Sequence, residues 1–373
     1  MLPETPAGLR AAIPALTEGI YMNAGASGPA PEPVIEATEG FVRHHEAAAP
    51  MAEGCYPSAF DTFEETREAV ADFLGVRPRE IALTQSTADG ISRVAASVDW
   101  EPGDVVVRTD LEHSAGVLPW WNLEREGVEV RVLETEGGRI NPDAYREAVA
   151  DARLVCFNSI TWNYGTRLPV ADLVEVAHDA GAQVLVDAVQ SPGQTDLALS
   201  EWNADFAALA GHKWLLGPWG AGVLYVREDV ADAMTPAQVG YRSVADSTAP
   251  VPELAAGAPR FEVGTTNPAP YVGLQTAIEV LESVGLGTVE DHIADLSGFL
   301  IDELGERALG PADPESGLVP FAVGDGEDAD AVVERLAEEG IVIRTLPAPE
   351  GAVRASVHAY NTREDVDALL SAL

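Results

Sequence analysis

The sequence predicts an α/β protein built on a largely parallel sheet, with a second, smaller unit after it. Three observations carry that prediction. The length, 373 residues, suits two domains. From about residue 60 to 230, apolar strand-like runs alternate with amphipathic helix-like segments, the pattern of a parallel sheet covered by helices on both faces. After the proline-rich stretch at 248–253 the order becomes mixed, as in an α+β unit.

Taken in order, strands are expected at 81–84, 104–108, 128–133, 154–157, 184–187 and 223–226, with helices between several of them, for example 60–73 and 173–180. A long helix is expected over 271–284 and another over 289–304. A strand at 319–323, a helix at 328–339, strands at 341–344 and 354–357 and a closing helix at 363–373 complete the chain. The expected division is an N-terminal arm, 1–19, packed against the small domain, a large domain over 20–255 and a small C-terminal domain over 256–373.

Charge sets the class of surface. Sixty-one acidic residues face 22 basic ones, a formal charge of −39, yet 46% of residues are hydrophobic. Disorder needs low hydrophobicity with high charge, so a folded protein is expected. Such a surface repels itself in dilute buffer, and at molar salt a Debye length of about 3 Å screens the repulsion. The composition therefore suggests a salt-rich cytoplasm, as in extreme halophiles; a basic protein partner is the competing explanation. Nucleic acid is disfavoured, since no basic stripe could release phosphate counterions. The N-terminus lacks the basic and apolar regions of a signal peptide, and no apolar run approaches the roughly 20 residues of a membrane span. A soluble, cytoplasmic protein is expected. Cys55 and Cys156 are too few for a disulfide framework or a zinc site, and no metal is expected.

The chain contains one lysine, Lys213, in Ala210-Gly-His-Lys-Trp214; its other basic side chains counted with it are arginines. At a surface arginine would serve as well. Arginine cannot become a neutral primary amine and condense with an aldehyde. Lys213 is therefore expected to be a Schiff-base lysine holding pyridoxal phosphate (PLP). Asp187 ends the strand run Val184-Leu-Val, 26 residues before Lys213, where ligands of open parallel sheets gather. A carboxylate there can keep the pyridine nitrogen protonated, so that the ring absorbs electrons. Gln190, three residues on, offers an amide to the ring's phenolic oxygen. No early Gly-x-Gly-x-x-Gly follows a first strand, which disfavours a dinucleotide-binding fold.

The stretches 184–191 and 210–225, with Tyr21-Met-Asn-Ala-Gly-Ala-Ser-Gly-Pro29 near the start, resemble the class V aminotransferase family over nearly the whole chain. That family includes cysteine desulfurases, selenocysteine lyases and isopenicillin-N-epimerase-like proteins. The resemblance implies PLP fold type I and a homodimer with active sites at the interface. It places Ser86, Thr87 and Ala88 in the phosphate loop, where amides at a helix start attract an anion. It implies that His113 stacks on the ring, that His212 contacts the phosphate and that Thr265 reaches the partner's phosphate. Arg354 would bind the substrate carboxylate in a bidentate fork. Catalysis would rest on Lys213, His113 and Asp187, with an amino acid as substrate.

Several positions depart from the pattern. Desulfurases need a nucleophilic cysteine shortly after the segment resembling 340–345, but this chain continues Leu346-Pro-Ala-Pro-Glu-Gly351. Cys156 is expected to be buried packing, and Cys55 to lie in a loop facing the pocket. Ala210 stands where many relatives have a phosphate-binding serine. Trp162 aligns with the usual asparagine near the ring oxygen, with Asn163 one position on, and either could face the ring. On these grounds aminotransferase-like chemistry at Cα is expected first. The alternatives are C–S or C–Se lyase chemistry, epimerisation, or a silent PLP-binding scaffold.

Overall fold

The structure, a computed structural model, describes residues 2–195, 198–324 and 326–373. Met1, the first residue of the expected arm, lies outside the described residues. The strands in chain order are β1 (Ile20–Tyr21), β2 (Ile81–Thr84), β3 (Val105–Thr109), β4 (Glu129–Leu133), β5 (Leu154–Asn158) and β6 (Gln183–Asp187). Then follow β7 (Phe206–Ala210), β8 (Gly222–Val226), β9 (Leu318–Ala322), β10 (Ile341–Val342), β11 (Arg344–Thr345) and β12 (Ala352–Ser356).

Seven strands form one sheet in the order β2-β8-β7-β6-β5-β3-β4. From β4 to β7 neighbours are parallel, while β8 is antiparallel to both β7 and β2. β2 therefore points the same way as the parallel set. Alternate residues serve opposite faces. Val184 and Val186 join one core cluster with the helices Cys55–Leu74 and Ala269–Val284, and Leu185 joins a second with helix Thr87–Ser97. Burial on both faces explains why these strands read as continuous apolar runs.

β7 was not among the expected strands. Its sequence, Phe206-Ala-Ala-Leu-Ala, is poor in the β-branched and aromatic residues that signal a strand. The small side chains serve packing: a Cβ added at Gly90, on helix Thr87–Ser97, would lie 3.3 Å from the Ala208 Cβ. The helix thus sits close over β7, which brings its N-terminus toward the strand that leads to Lys213.

β9, β11 and β12 make an antiparallel sheet in the order β11-β12-β9. The strand expected at 341–344 is in fact two. β10 pairs in parallel with β1, whereas β11 pairs with β12, so the chain changes partner at Ile343. A third cluster fills this region, including Met22, Leu296, Leu300, Phe321, Val353 and Val366. Arg10 forks onto Asp365 at 2.7 and 3.0 Å, tying the N-terminal helix Pro6–Ala11 to the closing helix Arg363–Ala372. Cys55, expected in a loop, is the first residue of helix Cys55–Leu74, with Sγ 3.7 Å from the His45 carbonyl. The helix begins at Gly54, whose φ of 96° only glycine adopts readily. Among the described residues no helix is long and apolar enough to cross a membrane.

Candidate active site

Several chain segments meet where the parallel strands end, the position at which ligands of open α/β sheets bind. Asp187 closes β6 and is 3% exposed. Its Oδ1 accepts the Val189 N–H at 3.0 Å. Burial raises its pKa, and the nearby Lys213 charge opposes that rise. Lys213 follows β7 by three residues and is partly buried. Desolvation lowers its amine to about 8, with Asp187 pulling it up and Arg354 and Arg344 pushing it further down. The lysine is thus poised to be a neutral nucleophile or base near neutral pH.

Close backbone approach explains the N-terminal motif. A Cβ on Gly28 would fall 2.2 Å from the Lys213 carbonyl oxygen, and one on Gly25 would fall 2.8 Å from Arg354 Nη2. Gln190 lies in this seam. It donates from Nε2 to the Gly25 carbonyl at 3.1 Å and accepts from the Trp214 indole at 2.6 Å. One amide N–H remains for the phenolic oxygen it was expected to meet. Trp214 stacks on His358, and His358 on Tyr360. His358 accepts the Ala359 N–H at Nδ1 and donates from Nε2 to the Trp214 carbonyl, so its neutral tautomer braces the lysine loop.

At the other end of the cleft, Ser86 caps helix Thr87–Ser97, its Oγ accepting the Asp89 N–H at 3.1 Å. That hydroxyl is occupied within the helix cap. Thr87 Oγ1 is buried with no partner among the described residues, and Ala88 occupies the next position of the first turn. A buried orphan hydroxyl beside helix-start amides suits an anion. His212 packs on Trp219 with ring centroids 4.5 Å apart, and burial, then Lys213, lowers it to about 4. Among the described residues Thr265 makes no hydrogen bond to this cluster. It is exposed and bonds the Tyr241 hydroxyl at 2.6 Å, on a surface lined by Phe41, Val42 and His45.

On the substrate side, His113 follows β3 and meets Trp162 edge-on, ring centroids 5.5 Å apart. Its Nδ1 accepts the Ala115 N–H, and burial plus the Lys213, Arg344 and Arg354 charges lower its pKa. Trp162, rather than Asn163, is thereby the residue in contact with His113. Asn163 is buried nearby in sequence with an orphan Oδ1. Arg354, on β12, is 0% exposed; Nη1 donates to the Trp162 carbonyl at 2.5 Å, while Nε and Nη2 have no partner among the described residues. Burial, then Arg344, lowers it to about 9. A buried guanidinium edge with two free N–H groups fits a carboxylate.

Two residues escaped the sequence reading. Glu112, beside His113, is buried and lifted to about 8, chiefly by desolvation; its Oε1 receives Thr109 and Asn158. Arg344 is the direct cross-strand partner of Arg354. Adjacency to His113 could have flagged the first. Only strand register reveals the second. Together the amine, the buried carboxylate, the orphan hydroxyl and the orphan guanidinium fit PLP with an amino acid. Among the described residues no His, Cys, Asp and Glu cluster could hold a metal.

Known proteins agree on the cofactor and correct the reaction. A probable cysteine desulfurase from Methanothermobacter thermautotrophicus is 33% identical over 97% of this chain and 95% of its own length. The apo cysteine desulfurase of Thermococcus onnurineus NA1 superposes with a TM-score of 0.89 at 31% identity, covering 100% of this chain and 97% of that one. A cystine C–S lyase, solved with its product cysteine persulfide, superposes with a TM-score of 0.89 at 28% identity, covering 96% and 98%. The expected aminotransferase-like chemistry is therefore overturned, because these relatives are C–S bond-breaking enzymes. The absence of a cysteine in the loop after β11 had weighed too heavily. The class V aminotransferase profile matches residues 20–369, and the chain belongs to that family as a PLP-dependent enzyme of fold type I.

Proposed function

We propose that this protein is a C–S lyase of the cysteine desulfurase type, acting on cysteine or a cysteine derivative. The observation that carries the reading is Arg354, buried and unpaired beside Lys213, in a chain whose relatives cleave carbon–sulfur bonds. PLP, when bound, supplies an aldehyde for amine condensation and an electron sink for the bond being broken. Thr87 and the first-turn amides would hold its phosphate, with His212 beside them, and Asp187 would hold a proton on its ring nitrogen. Arg354 binds the substrate carboxylate. The Lys213 amine takes the Cα proton, its basicity trimmed by desolvation. His113, whose Nδ1 accepts the Ala115 N–H, would lie against the ring.

No thiol stands in the loop 346–351, so sulfur cannot be passed to an enzyme persulfide there. The sulfur then departs on the substrate's own leaving group. Cysteine plus water would give pyruvate, ammonia and sulfide, rather than alanine and an enzyme-bound sulfur. Incubation with L-cysteine and L-cystine, measuring sulfide, persulfide, pyruvate and alanine, tests this; amino-group transfer without sulfur release would defeat it.

The arm at 1–19, the large domain at 20–255 and the small domain at 256–373 remain our proposed division. A homodimer is proposed because Thr265 is exposed and held by the Tyr241 hydroxyl, open to a partner's site. A salt-rich cytoplasm is proposed from the charge of −39, and an unfolding midpoint insensitive to molar potassium chloride would argue against it.

A further inference from the structure

The loop between β7 and β8 folds back on itself. The Gly211 N–H donates to the Ala221 carbonyl at 2.9 Å and the Gly217 N–H to the Gly211 carbonyl at 2.8 Å, which closes residues 211–221 into one turn. That turn carries His212 and Lys213 near its start and Trp219 near its end. Pro218 seats it on helix Ala269–Val284, where a Cβ at Gly273 would fall 2.6 Å from the Pro218 Cγ. Gly220, at φ 96°, makes a reversal that a side chain would strain.

Trp219 is 70% exposed, more than any other Phe, Tyr or Trp among the described residues, yet it is held at two points. Its ring lies 4.5 Å from that of His212, centroid to centroid, at an interplanar angle of 31°. Its indole N–H donates to Ser27 Oγ at 3.0 Å. Ser27 is fixed in turn: the Tyr21 hydroxyl donates to its carbonyl at 2.6 Å, and the Gly28 N–H donates to the His212 carbonyl at 2.8 Å. An indole tied at its N–H and packed on one face leaves its neighbour few rotamers.

The His212 ring nitrogens have no hydrogen-bond partner among the described residues. Burial, then the Lys213 charge, keeps the ring neutral near pH 7. It can therefore donate one N–H to an anion but brings no charge to attract it, so the ring has to be aimed. Few other side chains furnish this end of the cleft. Ala210 offers no hydroxyl, and Ser86 Oγ already accepts the Asp89 N–H, which leaves Thr87.

We propose that Trp219 is a positioning residue for the cofactor phosphate: stacked on His212 and tethered to Ser27, it fixes the imidazole in the orientation that meets the phosphate. It acts through His212 and touches no reacting atom. The inference rests on the His212 contact proposed above, and it is independent of the C–S lyase reading because it is measured by binding.

The test compares PLP with pyridoxal, which lacks the phosphate. The full chain is loaded with either compound and dialysed at one fixed salt concentration, and Kd is read from the lysine-dependent visible absorbance. Trp219→Ala should weaken PLP about fivefold, the worth of a side chain ordered in advance, and leave pyridoxal unchanged. Trp219→Phe keeps a ring against His212 and should recover most of that loss. His212→Ala should weaken PLP about tenfold, and adding Trp219→Ala to it should cost nothing further, because the group being positioned is gone. Full additivity in the double variant would overturn the proposal, as would equal weakening of PLP and pyridoxal, the mark of a merely structural role. Unchanged PLP affinity in Trp219→Ala beside a weakened His212→Ala would overturn it while leaving the His212 contact intact. Unchanged affinity in His212→Ala would remove that contact and this proposal with it. None of these outcomes depends on which sulfur product is released.

Discussion

Arg67 and Arg354 are equally hidden, 3% and 0% exposed, yet they stand in opposite electrostatic settings. Arg67 donates to Glu262 at 2.5 Å and to the Ile81 carbonyl at 2.8 Å. Glu262 also receives Arg242 and the Leu83 N–H, binding helix Cys55–Leu74 to β2. Burial by itself would depress the Arg67 guanidinium, and the Glu262 carboxylate more than reverses it. Around Arg354 no carboxylate answers, and Arg344 adds repulsion. A closed charge knot is a structural device. An open cationic pocket without a carboxylate is a candidate binding device, the reading the predictions below test.

The largest expected effect tests the open side. Lys213→Ala should lower turnover by about four orders of magnitude and remove the cofactor's lysine-dependent visible absorbance, without lowering the unfolding midpoint. Near-normal turnover would remove the lysine from the chemistry. On the closed side, Glu262→Gln removes the buried carboxylate shared by Arg67 and Arg242, leaving Arg67 only the exposed Glu64, and should cost about 3–5 kcal/mol in denaturant unfolding. If it costs no more than a surface substitution, the knot is not structural. Arg354→Gln should do the reverse: kcat/KM falling about a hundredfold while stability holds or rises. A large loss of stability there would erase the contrast between the regions.

A subtler effect concerns pH. Uptake of PLP by the apoprotein requires the neutral amine, so its rate should climb as pH passes about 8. Arg344→Gln removes a positive neighbour that disfavours the ammonium, so the midpoint should move upward; a downward move in the measured rate profile would contradict the placement of Arg344. The smallest effect belongs to Thr87→Ala, which should weaken PLP binding about tenfold with little change in stability. A stability loss without a change in PLP affinity would make Thr87 a packing residue instead.

Much of the candidate site could be proposed from the sequence because PLP chemistry limits residue choice. A lone lysine in an arginine-rich chain, and a strand-ending aspartate before it, are chemical signals that survive without coordinates. Strands β2 and β6 were visible because burial on both faces leaves apolar runs. β7 was not, since its alanines answer to the helix lying over it, a demand made from outside the strand. The break at Ile343 was hidden for a similar reason: two different partners claim adjacent residues. Loop chemistry misled in the other direction. The missing cysteine in 346–351 removes one route for sulfur, which is narrower than removing sulfur chemistry altogether.

By itself, then, the sequence determined the fold class and singled out Lys213 and Asp187 as the candidates for the cofactor, because periodicity and residue chemistry are local properties. Tertiary structure decided which groups share a pocket: that Gly25 gives way to Arg354, that Trp162 meets His113, and that Arg344 stands beside Arg354. Those facts depend on strand register and chain crossing over separations of tens to hundreds of residues. Local pattern carries no record of them.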